Sequence, residues 1–409
     1  MNTLNLEKYA SLIVKTSLNL QPNQILVITS PIECTPFTRL LAQTAYQEGA
    51  RDVVIQWRDE LFSKIRFLYA PEEIFEEFPD WQKEFYISYV RQGAAFLSIS
   101  ASDPELMHDV EPKRMMKAQK ASSTALKEYR ERLMSNKNVW SVISIPTSAW
   151  ARKVFPALQE DEALDKLWET IVMTVRVDTD DPIRSWNEHR ASLRTRINFL
   201  NGCSFKALHY KNSIGTDLTI ELPKNHQWLG GSESTPDGLE FFPNMPTEEV
   251  FTLPLKSGVN GKAVSSKPLN YNGNLIDQFS LTFKRGKIVD FSAEKGYETL
   301  KTLIETDEGS HYLGEVALVP YDSPISASNI LFFNTLFDEN ASCHLAIGKA
   351  YPVCIKNGDN MSPEELQKIG VNDSLTHVDF MIGTRDLEII GETLEGEKIL
   401  VFNNGNFAF

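Results

Sequence analysis

The chain has few cysteines, and none is placed to hold metal as a thiolate pair. Cys34, Cys203, Cys343 and Cys354 are the four among 409 residues, and no two share a CxxC spacing. That disfavours a thiolate zinc site, and the four read as small apolar residues of a core in a reducing compartment. No apolar run reaches the roughly 18 residues that a spanning helix needs, so no membrane partner is expected. The opening MNTLNLEKYASLIVKTS lacks the basic start, long apolar core and small-residue cleavage site of a secretory signal. Its Leu6, Tyr9, Leu12 and Ile13 are spaced as on an amphipathic helix, and the expected location is cytoplasmic. Lysine and arginine form no dense block, and the net charge is -14; a nucleic-acid partner would favour a basic face. Internal repeats and low-complexity segments are missing. The glycine strings at Gly230-Gly231 and Gly258 to Gly261 do not lie between a strand and a helix, so they give no support to nucleotide binding.

What is present is an ordinary globular composition, 42% hydrophobic and 23% charged, over a length that suffices for two cores. Residues 1–202 alternate strand-like and helix-like patterns. QILVITS (24–30), DVVIQW (52–57), AAFLSIS (94–100) and WSVISIP (140–146) read as buried strands. Helix-like stretches separate them, among them CTPFTRLLAQTAYQEGA (34–50) with Gly49 near its end as a stop signal, and 112–134 as one segment. Residues 161–200 read as helical throughout, ending at Asn201-Gly202. Strands alternating with helices predict an α/β domain with a mostly parallel sheet. Residues 203–409 change texture. KALHYKN, TDLTIEL, LEFFP, EVFTLP, LTFKRGKIVDFSA, GEVALVP, NILFFN, THVDFMIG and KILVFNNG are short strand-like pieces, with one helix at 297–306. LTFKRGKIVDF reads as a hairpin about Arg-Gly. A β-rich α+β domain follows, barrel-like or a bent sheet.

The second half also carries acidic and imidazole side chains inside apolar runs, where a carboxylate is costly unless paired or holding a metal. His377 and Asp379 lie two apart in THVDFMIG, so on a strand they share a face while Val378, Phe380 and Ile382 take the other. Glu315 sits in LGEVALV after Gly314, which leaves room for close backbone approach. His344 lies in SCHLAIGKAYP among the small residues Ala346, Gly348 and Ala350, with Tyr351 seven positions on. Glu248 and Glu249 are adjacent, so only one easily faces a shared site. The other histidines, His108, His189, His209, His226 and His311, lack such a context, and His311 reads as a surface residue. Three carboxylates and two imidazoles suit Zn²⁺, Co²⁺ or Mn²⁺. They exceed the three protein ligands of a catalytic zinc, and two metals sharing a bridging carboxylate fit the count better.

The strings NMPTEEVFTLP, HYLGEVALVP, ENASCHLAIGKAYP and HVDFMIG, in this order, closely resemble the aminopeptidase T / aminopeptidase S family of metal-dependent leucyl aminopeptidases. The resemblance covers the whole chain. It implies an α/β domain followed by a domain with a dinuclear metal site, a homodimer with the site facing an internal cavity, and removal of N-terminal residues from short peptides. Carried over, the ligands are Glu249, Glu315, His344, His377 and Asp379, with Glu315 bridging and Tyr351 beside the metals. Tyr351 is the expected hydrogen-bond donor to the tetrahedral intermediate, and Glu248 the candidate proton shuttle. Two other readings stay open: a single-metal oxygenase with two histidines and one carboxylate, and a non-catalytic metal- or peptide-binding protein.

Overall fold

A computed structural model describes residues 3–271 and 274–409. The chain forms two compact units. The first comprises Met1–His189 with the returning segments Ser232–Pro246 and Phe332–Leu336; the second comprises Arg190–Gly231, Thr247–Leu331 and Phe337–Phe409. The division between the units falls inside the helix Pro182–Cys203.

The first unit is α/β. Its main sheet has four strands in the order Asp52–Arg58, Ile25–Pro31, Ala95–Ile99, Trp140–Ile143, all paired parallel, and the returning segment adds a short antiparallel pair, Glu233–Ser234 with Glu240–Phe241. Near-continuous apolar runs are what a parallel sheet covered on both faces demands, and Leu26, Val27 and Ile28 are fully buried. Helix Thr35–Gln47 ends just before Gly49, whose φ is +93°, as the glycine signal predicts. Two helical readings need correction. Residues 112–134 form two helices, Pro112–Ala125 and Lys127–Met134, joined at Leu126. The expected helix over 161–200 is also two, Glu160–Thr174 and Pro182–Cys203. Arg176 takes a left-handed φ of +58° between them. The Trp186 indole donates to the freed Val175 carbonyl at 2.7 Å, and Pro182 starts the second helix, where its missing N–H does no harm.

The second unit is β-rich, and among the described residues it holds two sheets instead of one bent or closed sheet. The larger is nine-stranded. Its hairpin forms where the sequence predicted, with Lys284 opposite Lys287. Arg285 and Gly286 both have positive φ, +50° and +82°, which is the turn that matches strand twist. The smaller is antiparallel, in the order His377–Met381, His344–Gly348, Leu313–Leu318, Val250–Thr252. NILFFN is not a strand: residues 330–334 are irregular backbone between the short helices Pro324–Ser328 and Thr335–Asp338.

The smaller sheet depends on close approach at Gly314. A Cβ there would lie 2.2 Å from the Lys349 carbonyl oxygen and 2.5 Å from that of Gly348. Gly202, near the end of a helix, has nothing within 4 Å of a built Cβ. Gly314→Ala is expected to cost about 2 kcal/mol or more in urea unfolding, and Gly202→Ala to be neutral or stabilising by a few tenths of a kcal/mol. Equal effects of the two would contradict this packing.

Candidate metal centre

Strand alternation sorts the smaller sheet into two chemically different faces. Glu315, Ala346 and Asp379 stand in one row across three strands, because Glu315 pairs with Ala346 and Ala346 with Asp379. Paired residues share a face, and so do positions two apart. His344, Gly348 and His377 therefore join that face, along with Glu249, two before Phe251. The opposite face is Val250, Val316, Leu318, Leu345, Ile347 and Phe380, each at most 1% exposed. Small residues keep the polar face open. Ala346 stands between Glu315 and Asp379, and Gly348 faces His377 with no side chain at all.

The five expected side chains converge. His344 Nε2 lies 3.3 Å from Glu249 Oε2 and 3.4 Å from Glu315 Oε1. His377 Nε2 lies 3.6 Å from Glu315 Oε2 and 3.4 Å from Asp379 Oδ1. Two triplets of metal-type atoms result, Glu249–Glu315–His344 and Glu315–His377–Asp379, each gathered within 4.8 Å. Glu315 belongs to both, one oxygen toward each imidazole. Each ring is aimed from behind: His344 Nδ1 is 3.1 Å from the Ser342 carbonyl and His377 Nδ1 is 2.7 Å from that of Lys349. An Nδ1–H donated to a carbonyl leaves Nε2 as the free ligand atom, the usual support for a metal-binding histidine.

The electrostatics show how crowded the centre is. Burial opposes charge on His344, but Glu249 and Glu315 hold its imidazole well above the usual range. Burial likewise opposes His377, and Asp379 still pushes it up to about 9. Burial raises Glu315, with Asp379 and Glu249 adding to it against the His344 hydrogen bond. Asp379 is held down by His377 and His344 in spite of burial. Close carboxylates cannot all ionise without a compensating cation, so the donor set fits divalent metal.

Tyr351 reaches the same space. Its ring centroid is 4.7 Å from that of His377, and burial, with Glu315 and Asp379 beside it, raises the phenol far above its ordinary pKa. It is therefore an O–H donor at all working pH. Glu248 is buried and lies outside both triplets; its backbone N–H donates to Asn340 Oδ1 at 2.8 Å. His311, read as a surface residue, is only half-exposed, and its Nδ1 is shielded from solvent. One acidic group escaped the sequence reading. Glu339 opens the single turn Glu339–Ala341 that leads into the His344 strand. Burial, then Glu249 and Asp379, raise its carboxyl well above the usual range, with His344 opposing. The only sequence signal was a carboxylate five residues before a candidate histidine.

The thermophilic metalloprotease (M29) family profile matches residues 2–407. The chain belongs to this family. It is similar to Aminopeptidase 2 of Geobacillus stearothermophilus, 53% identical over 99% of this chain and 98% of that protein. It is also similar in structure to wild-type AmpT from Thermus thermophilus, with a TM-score of 0.93 at 40% identity over 99% of both chains. The family resemblance seen in the sequence motifs thus holds over nearly the whole length. A more distant likeness, to 2,5-dihydroxypyridine dioxygenase from Pseudomonas putida KT2440, has a TM-score of 0.54 at 11% identity over 99% of this chain and 96% of that one. It concerns the fold alone, and fold does not decide chemistry.

Metal binding to this M29 chain should expel protons. A ligating imidazole must be neutral, yet His344 and His377 are both held protonated at neutral pH in the ion-free protein. Affinity for Zn²⁺ therefore rises with pH above neutrality, through the region of about 9 in which His377 gives up its proton unaided. Calorimetry at pH 7 in two buffers of different ionisation enthalpy should show roughly two protons released when the centre fills. No release would contradict the imidazoles as ligands.

Proposed function

We propose that this metalloaminopeptidase holds two divalent ions, one by Glu249 and His344, the other by His377 and Asp379, with Glu315 shared, and removes N-terminal residues from short peptides. The observation that carries the reading is the membership of Glu315 in both triplets. Zn²⁺, Co²⁺ and Mn²⁺ all suit the carboxylate and imidazole donors. When bound, such a pair supplies a water of lowered pKa and polarises a carbonyl.

The protein's own groups do the rest. The acidic face attracts the ammonium of a free N-terminus, which restricts cleavage to the first residue. The Tyr351 ring lies 4.7 Å from that of His377, which makes its O–H the candidate donor to the oxygen that gains charge, and a preorganised donor of this kind is worth on the order of 10²–10³ in kcat. Two carboxylates are candidates to carry the proton from water to the leaving amine, Glu248 and Glu339. Glu339 has the stronger standing, because it lies in the field of Glu249, Asp379, His344 and Glu315, and a carboxyl of raised pKa suits proton transfer near neutrality. A cytoplasmic homodimer belongs to the same proposal and rests on the family resemblance. No described helix is long and apolar enough to cross a membrane.

The single-metal oxygenase reading is the poorer fit. It needs both imidazoles on one ion, and among the described residues neither triplet contains both. The test is hydrolysis of a leucyl peptide and its N-acetylated twin, after chelation and again with Zn²⁺, Co²⁺ or Mn²⁺ restored. Cleavage of the free-amine peptide alone, lost on chelation and regained with metal, is the expected result. Peptide binding without cleavage at any metal would instead favour a binding protein.

A further inference from the structure

Lys267 is a cation near the acidic centre that the reaction as described does not use. The outer strand of the smaller sheet is His377–Met381, which carries His377 and Asp379. The Ser266 N–H donates to the Met381 carbonyl at 2.8 Å, which seats residues 265–268 against that strand's free edge. The Glu339 turn packs on the same strand, and Asp338, immediately before Glu339, is the acidic group whose field reaches Lys267.

The lysine is half-buried. Burial pulls its pKa below the usual range, and only the field of Asp338 opposes. Among the described residues no carboxylate comes within 4.0 Å of its ammonium, in a chain whose net charge is -14. A half-buried ammonium with no carboxylate at ion-pair distance is costly. The adjacent Ser266 hydroxyl is likewise buried with no hydrogen-bond partner. Among the described residues, two consecutive polar groups on the loop bordering the centre thus lack a side-chain counterpart at bonding distance.

We propose that Lys267 forms a carboxylate-binding subsite that holds the C-terminal carboxylate of a short peptide, an inference that rests on the peptidase reading above. The dimensions agree. Met381, against which the loop is seated, is two residues along the strand from Asp379, roughly 7 Å at strand spacing. A dipeptide spans roughly 7 Å from its amino to its carboxyl end. With the ammonium of the peptide at the acidic face and its carboxylate at Lys267, the first peptide bond would lie between the two. The subsite would favour dipeptides and tripeptides over longer chains, whose carboxylate lies beyond reach.

The test compares Leu-Leu with Leu-Leu amide as substrates of the metal-loaded full chain, in wild type, K267M and K267R. In wild type kcat/KM should favour the free acid about tenfold, mainly through KM, as fits one hydrogen-bonded charge pair. K267M should bring the acid-to-amide ratio close to one, and K267R should retain much of the preference. The ratio is taken within each variant, so partial loss of folded protein cancels. An unchanged ratio in K267M, or no preference in wild type, would overturn the proposal. A reduced-bond isostere of Leu-Leu, as acid and as amide, titrated calorimetrically into wild type and K267M, separates the two claims. Acid-selective binding lost in K267M, with no cleavage of either peptide, would sink the peptidase reading and leave the anchor standing. Cleavage without acid selectivity would do the reverse.

Discussion

The electrostatic crowding on one face of a four-stranded sheet is the constraint on which the rest of the second unit depends. Glu249, Glu315 and Asp379 share that face with two imidazoles, and Glu339 adds a further carboxyl at its border. Left to themselves these groups would spread apart into water. They are held together because the sheet register leaves them no other direction. A shift of one residue would turn every one of them into the apolar core.

That core is the counterweight. Val250, Val316, Leu318, Leu345, Ile347 and Phe380 are buried behind the acidic face, and their burial, at about 25 cal/mol per Å² of apolar surface, fixes the register against the repulsion in front. The residues without bulk matter as much as those with it. Ala346 and Gly348 keep the face open between the ligands, and Gly314 admits the Lys349 carbonyl where a Cβ would collide. The neighbouring carbonyls of Ser342 and Lys349 orient the two rings. A crowded acidic pocket is poised for a divalent cation, since the cation relieves the repulsion that the fold sustains.

The parts of this arrangement visible in the sequence are those written as a period. His377 and Asp379, two apart amid Val378 and Phe380, announce a strand with one polar face. Glu315 after Gly314 and His344 among small residues do so nearly as well. The four parallel strands of the first unit were legible because each is a continuous apolar run. What was not legible lacked a period. Glu339 sits in a single turn, where no repeat can mark it. NILFFN has the composition of a strand but takes irregular backbone between two short helices. The break between the helices at 175–181 depends on Trp186 reaching back to Val175, a contact that no local propensity encodes. The division of the β-rich half into two sheets is likewise set by long-range pairing.

The shared position of Glu315 is the claim that carries most weight, and it can be seen directly. Crystals of the protein loaded with Zn²⁺, measured with anomalous scattering at the zinc edge, should show two peaks per chain roughly 3.5–4 Å apart. Glu315 should bridge them, with His344 bound to one and His377 to the other. A single peak bound by both imidazoles, or peaks remote from Glu315, would contradict the account.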